Sequence, residues 1–185
     1  MSEKCITNIC AFNNDNILNI AMAVDIICIA NSIKVSDSAN NALIWLDSDD
    51  KIPSCAQDCL KKYDNAIIAC GFNSLGYVSI QAQSSIAEAW KNKVFTYSVS
   101  PCDFGLEAQS DSILKCESLE KSNEIIQDVF DNKIKDGCYN AIIVNSALAL
   151  YICSVSESIY KGMELAKKTI ENGSALKCLK EFQYH

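Results

Sequence analysis

Residues 138–153, CYNAIIVNSALALYIC, are apolar on nearly every side, which predicts a helix buried all round. Ile159, Met163, Ala166 and Ile170 follow at helical spacing and predict a helix that buries one face. Ser154 and Glu157 have the spacing of a capping box at its start. Asn172-Gly173 predicts its end, because glycine enters the left-handed conformation without a Cβ clash. Leu176, Leu179 and Phe182 predict one side of a short last helix.

Upstream the pattern alternates between strands and helices. Residues 5–16 predict a short strand running into a polar loop, and 17–32 a buried helix capped by Asp15 or Asn16. Residues 45–53 read as an acidic loop, 55–63 as a short helix and 65–72 as a buried strand. Residues 84–90 and 94–100 flank Lys91-Asn92-Lys93 and predict a β-hairpin, with Phe95, Tyr97 and Val99 on one face. Residues 122–132 predict a surface helix with Ile125, Ile126, Val129 and Phe130 inward. The class is α/β, and 185 residues predict a single domain with a real core.

The chain has a formal net charge of −7, which argues against nucleic acid and acidic membrane surfaces as partners. Its cations are all lysines, so the bidentate grip of arginine on phosphate is absent. The most apolar run, 17–30, is too short for a bilayer and contains Asn19 and Asp25. The eleven cysteines are odd in number and form no CxxC pair, which predicts reduced thiols in a cytoplasmic protein. Cys55 and Cys59 are spaced to share a helix face, as two metal ligands or as small core residues. Asp47, Asp49 and Asp50 could hold Mg²⁺ or form a solvated charge cluster. The one histidine, His185, is terminal, so no His-based triad is expected.

The run Asn145-Ser-Ala-Leu-Ala-Leu-Tyr151, followed by Gly162-Met-Glu-Leu-Ala166 and Asn172-Gly-Ser-Ala-Leu176, resembles the C-terminal end of anthranilate phosphoribosyltransferases. Pro101-Cys-Asp-Phe-Gly-Leu106 resembles a second segment of that family and is expected to be a structural turn. The resemblance implies a cut-down version of the phosphoribosyltransferase (nucleoside phosphorylase-like) α/β domain, without most of the N-terminal helical domain. Residues 1–45 would then be a remnant of the pyrophosphate-binding region and 55–185 the C-terminal part of the α/β domain. It also implies phosphoribosyl transfer from phosphoribosyl pyrophosphate to anthranilate, with Mg²⁺, in tryptophan synthesis.

Against that pattern the chemical segments have changed. The family's glycine loop falls on residues 11–16, where its glycines are replaced by Ala11, Asn13 and Asn14. Glycines there let backbone N–H groups approach a pyrophosphate. The phosphate-binding Ser and Thr become Ala21 and Met22. In the next loop Lys34, Val35 and Asn40 match, but Asp37 stands for a lysine and Ser38, Ala39 and Asn41 for the His, Gly and Arg. The Asp-Glu pair that holds Mg²⁺ falls on Gly76 and Tyr77. Asp15, Asn19 and Asn40 are the retained substrate-binding positions. Each lost donor costs about 10²–10³ in rate. The expectation is a chain without transferase activity of its own, or a non-catalytic module. Such a module would form a homo-oligomer or need a partner chain.

Overall fold

The computed structural model describes residues 4–10, 17–72 and 76–183. Its elements run β1 (Cys5–Cys10), α1 (Ile20–Ala30), β2 (Lys34–Val35), β3 (Asn41–Trp45), α2 (Ile52–Lys62), β4 (Asn65–Cys70), β5 (Ser84–Trp90) and β6 (Lys93–Val99). Then follow α3 (Leu119–Phe130), α4 (Gly137–Ile152), α5 (Ile159–Glu171) and α6 (Ser174–Gln183). The strands form one sheet in the order β2-β1-β3-β4-β5-β6. The first four are mutually parallel, and β5 and β6 complete the sheet antiparallel.

Side chains alternate across the sheet because successive residues of a strand point to opposite faces. Leu43, Trp45, Ile67, Ala69 and Ile86 join the large core built with α1 and α3 to α6. Ala42, Ile44, Ala66, Ile68, Ala87 and Ala89 join a smaller core under α2. Both faces of β3 and β4 are therefore covered, which explains their near-continuous apolar runs. Helix α4 lies at the centre of the large core, and fourteen of its sixteen residues are buried.

Several sequence expectations are borne out. The all-round burial of α4, the strand after residue 65 and the hairpin all appear. Lys91 and Asn92 both have positive φ, as a two-residue hairpin turn requires. Gly173 has φ +78 just past α5. Residues 101–104 form a 3₁₀ turn with a capping box from Ser100 and Asp103, closed by Gly105 in the left-handed region.

Others are corrected. Residues 17–19 are not helical: Ile17 bridges Lys115, Leu18 N donates to Leu114 O, and α1 starts at Ile20 with Asn19 as its cap. Asp15 and Asn16, the predicted caps, lie outside the described residues. Ser154 does not cap α5. It adopts φ +53 and helps to end α4, with Ser154 N on Tyr151 O and Val155 N on Leu150 O. Ser158 caps α5 instead, accepting from Lys161 N. Phe182 is largely exposed, and Ala175 and Leu179 form the buried side of α6. Strand β3 and the start of α2 at Ile52 were not anticipated, because the acidic run at 47–50 reads as loop on both sides.

Candidate functional site

Strands β1, β3 and β4 end together at Cys10, Trp45 and Cys70. In open α/β sheets ligands gather beyond the carboxyl ends of such strands. The segment after β4 returns to this rim and packs into it. Gly71 N donates to Gly76 O at 3.1 Å. A Cβ on Gly71 would stand 1.8 Å from the Tyr77 carbonyl oxygen, so only glycine allows this approach.

Tyr77 is buried, with its ring edge-on to Trp45 at 5.2 Å between centroids. Asn145 of α4, which is fully buried, binds Trp45 and the residue that follows Tyr77. Its Oδ1 accepts from Trp45 Nε1 at 2.9 Å and from Val78 N at 3.1 Å. Its Nδ2 donates to Ala141 O at 2.9 Å and to Val78 O at 3.3 Å. One amide thus saturates the polar groups of the strand end and of the returning segment. Further along, the buried Asp111 accepts from Ser79 Oγ at 2.6 Å and Ile80 N at 3.2 Å. Burial holds its carboxyl above the usual range, against the pull of these donors.

The N-terminus of α1 meets the same rim. A helix leaves its first N–H groups without helical partners, and that is where an anion would bind. Here those groups are engaged within the chain. Ile20 N donates to Leu18 O at 2.7 Å and Ala23 N to Asn19 O at 3.3 Å. Met22 N donates to Asn19 Oδ1 at 3.1 Å, and Ala21 N to the Tyr77 hydroxyl at 3.4 Å. Asn19 N donates to Ser122 Oγ of α3 at 2.8 Å.

At the end of β4 lies a cleft of about 390 Å³ lined by Asp47, Ser48, Asp49, Cys70, Gly71 and Phe72, among others. Lys51 pairs with Asp47 at 2.6 Å and holds its carboxyl below the usual range. Ser48 donates to Asp50. The acidic run is thus tied into the start of α2, and among the described residues no group of three or more His, Cys, Asp or Glu converges on one point.

Of the predicted substrate-binding residues, Asn19 and Asn40 lie at opposite ends of the sheet. Asp15 and the glycine-replacing positions Ala11, Asn13 and Asn14 lie outside the described residues, as does His185. Asn19 is at the rim, where its side chain serves as a helix cap. Asn40 precedes β3 at the opposite end of the sheet, and its carbonyl accepts from Asp64 N at 2.8 Å. A strand of five residues puts roughly 15 Å between the two ends. The roles of Tyr77 and Asn145 were not foreseen. The one available signal was an asparagine in the middle of the apolar run 141–150, since a buried amide demands partners.

A model of the glycosyl transferase family, a/b domain, matches residues 40–176. The chain belongs to that family. Among similar curated proteins, anthranilate phosphoribosyltransferase of Methanococcus maripaludis (strain S2) is 37% identical over 118 residues, 64% of this chain and 35% of that protein. That of Bacillus pumilus is 30% identical over 112 residues, 60% of this chain and 33% of that protein. The match therefore spans about a third of the length of these relatives. Among solved structures, anthranilate phosphoribosyltransferase from Saccharomyces cerevisiae in complex with PRPP and Mg superposes with a TM-score of 0.85 at 14% identity. That match covers 98% of this chain and 73% of the yeast chain. The enzyme from Thermus thermophilus gives 0.86 at 10% identity, covering 98% and 77%. The fold is thus that of the anthranilate phosphoribosyltransferases.

Proposed function

We propose that this chain is a non-catalytic member of the anthranilate phosphoribosyltransferase group, a folded scaffold whose pyrophosphate cradle is closed by its own groups. The observation that carries this reading is the first turn of α1. Its N–H groups at residues 20–23 all have acceptors in the chain, and one acceptor is the hydroxyl of Tyr77. A pyrophosphate at this helix end would have to displace a buried aromatic side chain and an asparagine cap. Ala21 and Met22 supply no hydroxyl in exchange.

Mg²⁺ fares no better at the positions where the resemblance puts its carboxylates. Gly76 has no side chain and Tyr77 presents a phenol, a poor ligand for a hard cation that prefers carboxylate and water. These two residues do not fit the ion. Steady-state turnover of anthranilate and phosphoribosyl pyrophosphate with Mg²⁺ tests the reading. The expected rate is the background rate, and turnover on the order of 1 s⁻¹ or faster, an ordinary enzyme rate, overturns it.

A second reading, an interaction module acting with a second copy or a partner chain, is favoured by the β5–β6 hairpin. Trp90 and Phe95 are each about half exposed there, on the edge of the sheet. Light scattering across a concentration series tests it, and a monomer at all concentrations removes the homo-oligomer. A cytoplasmic location fits this reading, and no helix among the described residues is long and apolar enough to cross a membrane.

A further inference from the structure

Cys55 and Cys59 stand one turn apart on α2, so they share a face of the helix. Cys59 is buried and Cys55 half-buried. Both line one open cavity of about 450 Å³ on the thinly covered face of the sheet. Ile9, Ile44 and Leu46 also line it, and Lys51 and Lys62 bring their stems and charges to it. The two thiols are hydrogen-bonded to each other, so both sulfurs lie within reach of one ion.

We propose that Cys55 and Cys59 form a two-thiolate site for a single soft monovalent cation, Cu(I). The ligand chemistry makes the choice. Thiolates select soft ions, and a structural Zn²⁺ site wants four donors where this cavity offers two sulfurs. The remaining carboxylate of the cavity, Asp58, is paired with Lys61 at 2.9 Å. On binding, each thiol gives up its proton to solvent, and two thiolates with one Cu(I) leave one net negative charge. Lys62, which lines the same cavity, is close enough to Cys59 to offset part of that charge, while Lys51 is paired with Asp47. Ile9, Ile44 and Leu46 offer no donor atoms, so the two sulfurs are the soft ligands that the cavity presents.

The test is titration of the full, reduced chain with Cu(I) under anaerobic conditions, against a coloured Cu(I) chelator, with X-ray absorption at the copper edge. One equivalent held against the chelator, with sulfur-only two-coordinate copper, is the expected result. Loss of even an outer-shell partner weakens metal affinity about 10–100-fold, so Cys55→Ser and Cys59→Ser should each lose at least about tenfold. Cys102→Ser, an exposed cysteine on a different turn, should change nothing. Retention of the tight equivalent in Cys55→Ser overturns the proposal, as does copper with three or more ligands. Because Cys55 is half-buried on a surface helix, that variant decides the matter even where Cys59→Ser fails to fold.

Discussion

The layer built on α4 and the rim at the strand ends use the same residue types for opposite purposes. In the α4 layer, polar groups are few and serve packing: Asn145 ties a helix to a strand end and to a returning segment. At the rim, polar groups are many and serve a helix end: Asn19, Ser122 and the Tyr77 hydroxyl accept from N–H groups at the start of α1. The α4 layer matches the scaffold of the anthranilate phosphoribosyltransferases in fold. The rim is where this chain's residues depart from the pattern its resemblance sets. The difference teaches that a fold and its site answer to separate constraints, so that likeness in the one does not carry over to the other.

The sharpest way to break this comparison is to remove the amide that joins the two regions. Asn145→Leu leaves the Trp45 indole N–H and both backbone groups of Val78 buried without partners. Each such group costs about 1–3 kcal/mol, so a loss of about 3–5 kcal/mol is expected in urea denaturation. A loss below about 1 kcal/mol contradicts the role given to Asn145.

The α4 layer has one electrostatic flaw, Asp25 on α1. Burial pushes its carboxyl up from the ordinary 3.8 to about 6, against the hydrogen bond from Asn8 Nδ2. The folded state holds this proton more tightly than the unfolded chain, so stability falls as pH rises from about 4 to 6. The shift corresponds to about 3 kcal/mol at pH 7. Asp25→Asn is therefore expected to stabilise the protein by up to that amount at pH 7 and by nothing below pH 4. Melts at several pH values check both the size and the sign.

Smaller effects separate close packing from mere turn geometry. A Cβ on Gly162 meets the Ala147 carbonyl oxygen at 2.7 Å, where α5 crosses α4. Gly162→Ala should cost about 1–3 kcal/mol through overpacking. At Gly105 nothing lies within 4 Å and only φ +69 is unfavourable, so Gly105→Ala should cost about 1 kcal/mol. Smallest of all, Tyr77→Phe keeps the ring on Trp45 and removes the hydroxyl that accepts from Ala21 N, at an expected cost of about 1 kcal/mol in urea denaturation.

Much of the scaffold was legible in the sequence because burial there is regular. Ile142, Val144 and Leu148 lie in a run with no polar face, and Phe95 to Val99 alternate as a strand must. Most of what stayed hidden depended on contacts distant in sequence. Asn19, not Asp15 or Asn16, caps α1 because Leu18 is drawn into an extended pairing with Leu114. Ser154 lost the cap to Ser158 because the end of α4 needed its backbone. At the site, the sequence reading named Gly76 and Tyr77 as lost carboxylates. That Tyr77 turns its hydroxyl to Ala21 N of α1 is a tertiary fact, made between residues more than fifty apart. Asn40 matched a motif by alignment, yet the sheet carries it to the far end from Asn19.

The most direct test of the closed cradle is a thermal melt with and without phosphoribosyl pyrophosphate and Mg²⁺. A ligand at a hundred times its Kd adds about 2.7 kcal/mol, a rise in Tm of roughly 5–10 °C for a chain of this size. A helix end already filled by Tyr77 and Asn19 predicts a cooperative melt that does not move. A saturable rise of that size contradicts it, because it would mean that α1 still offers its N–H groups to the pyrophosphate.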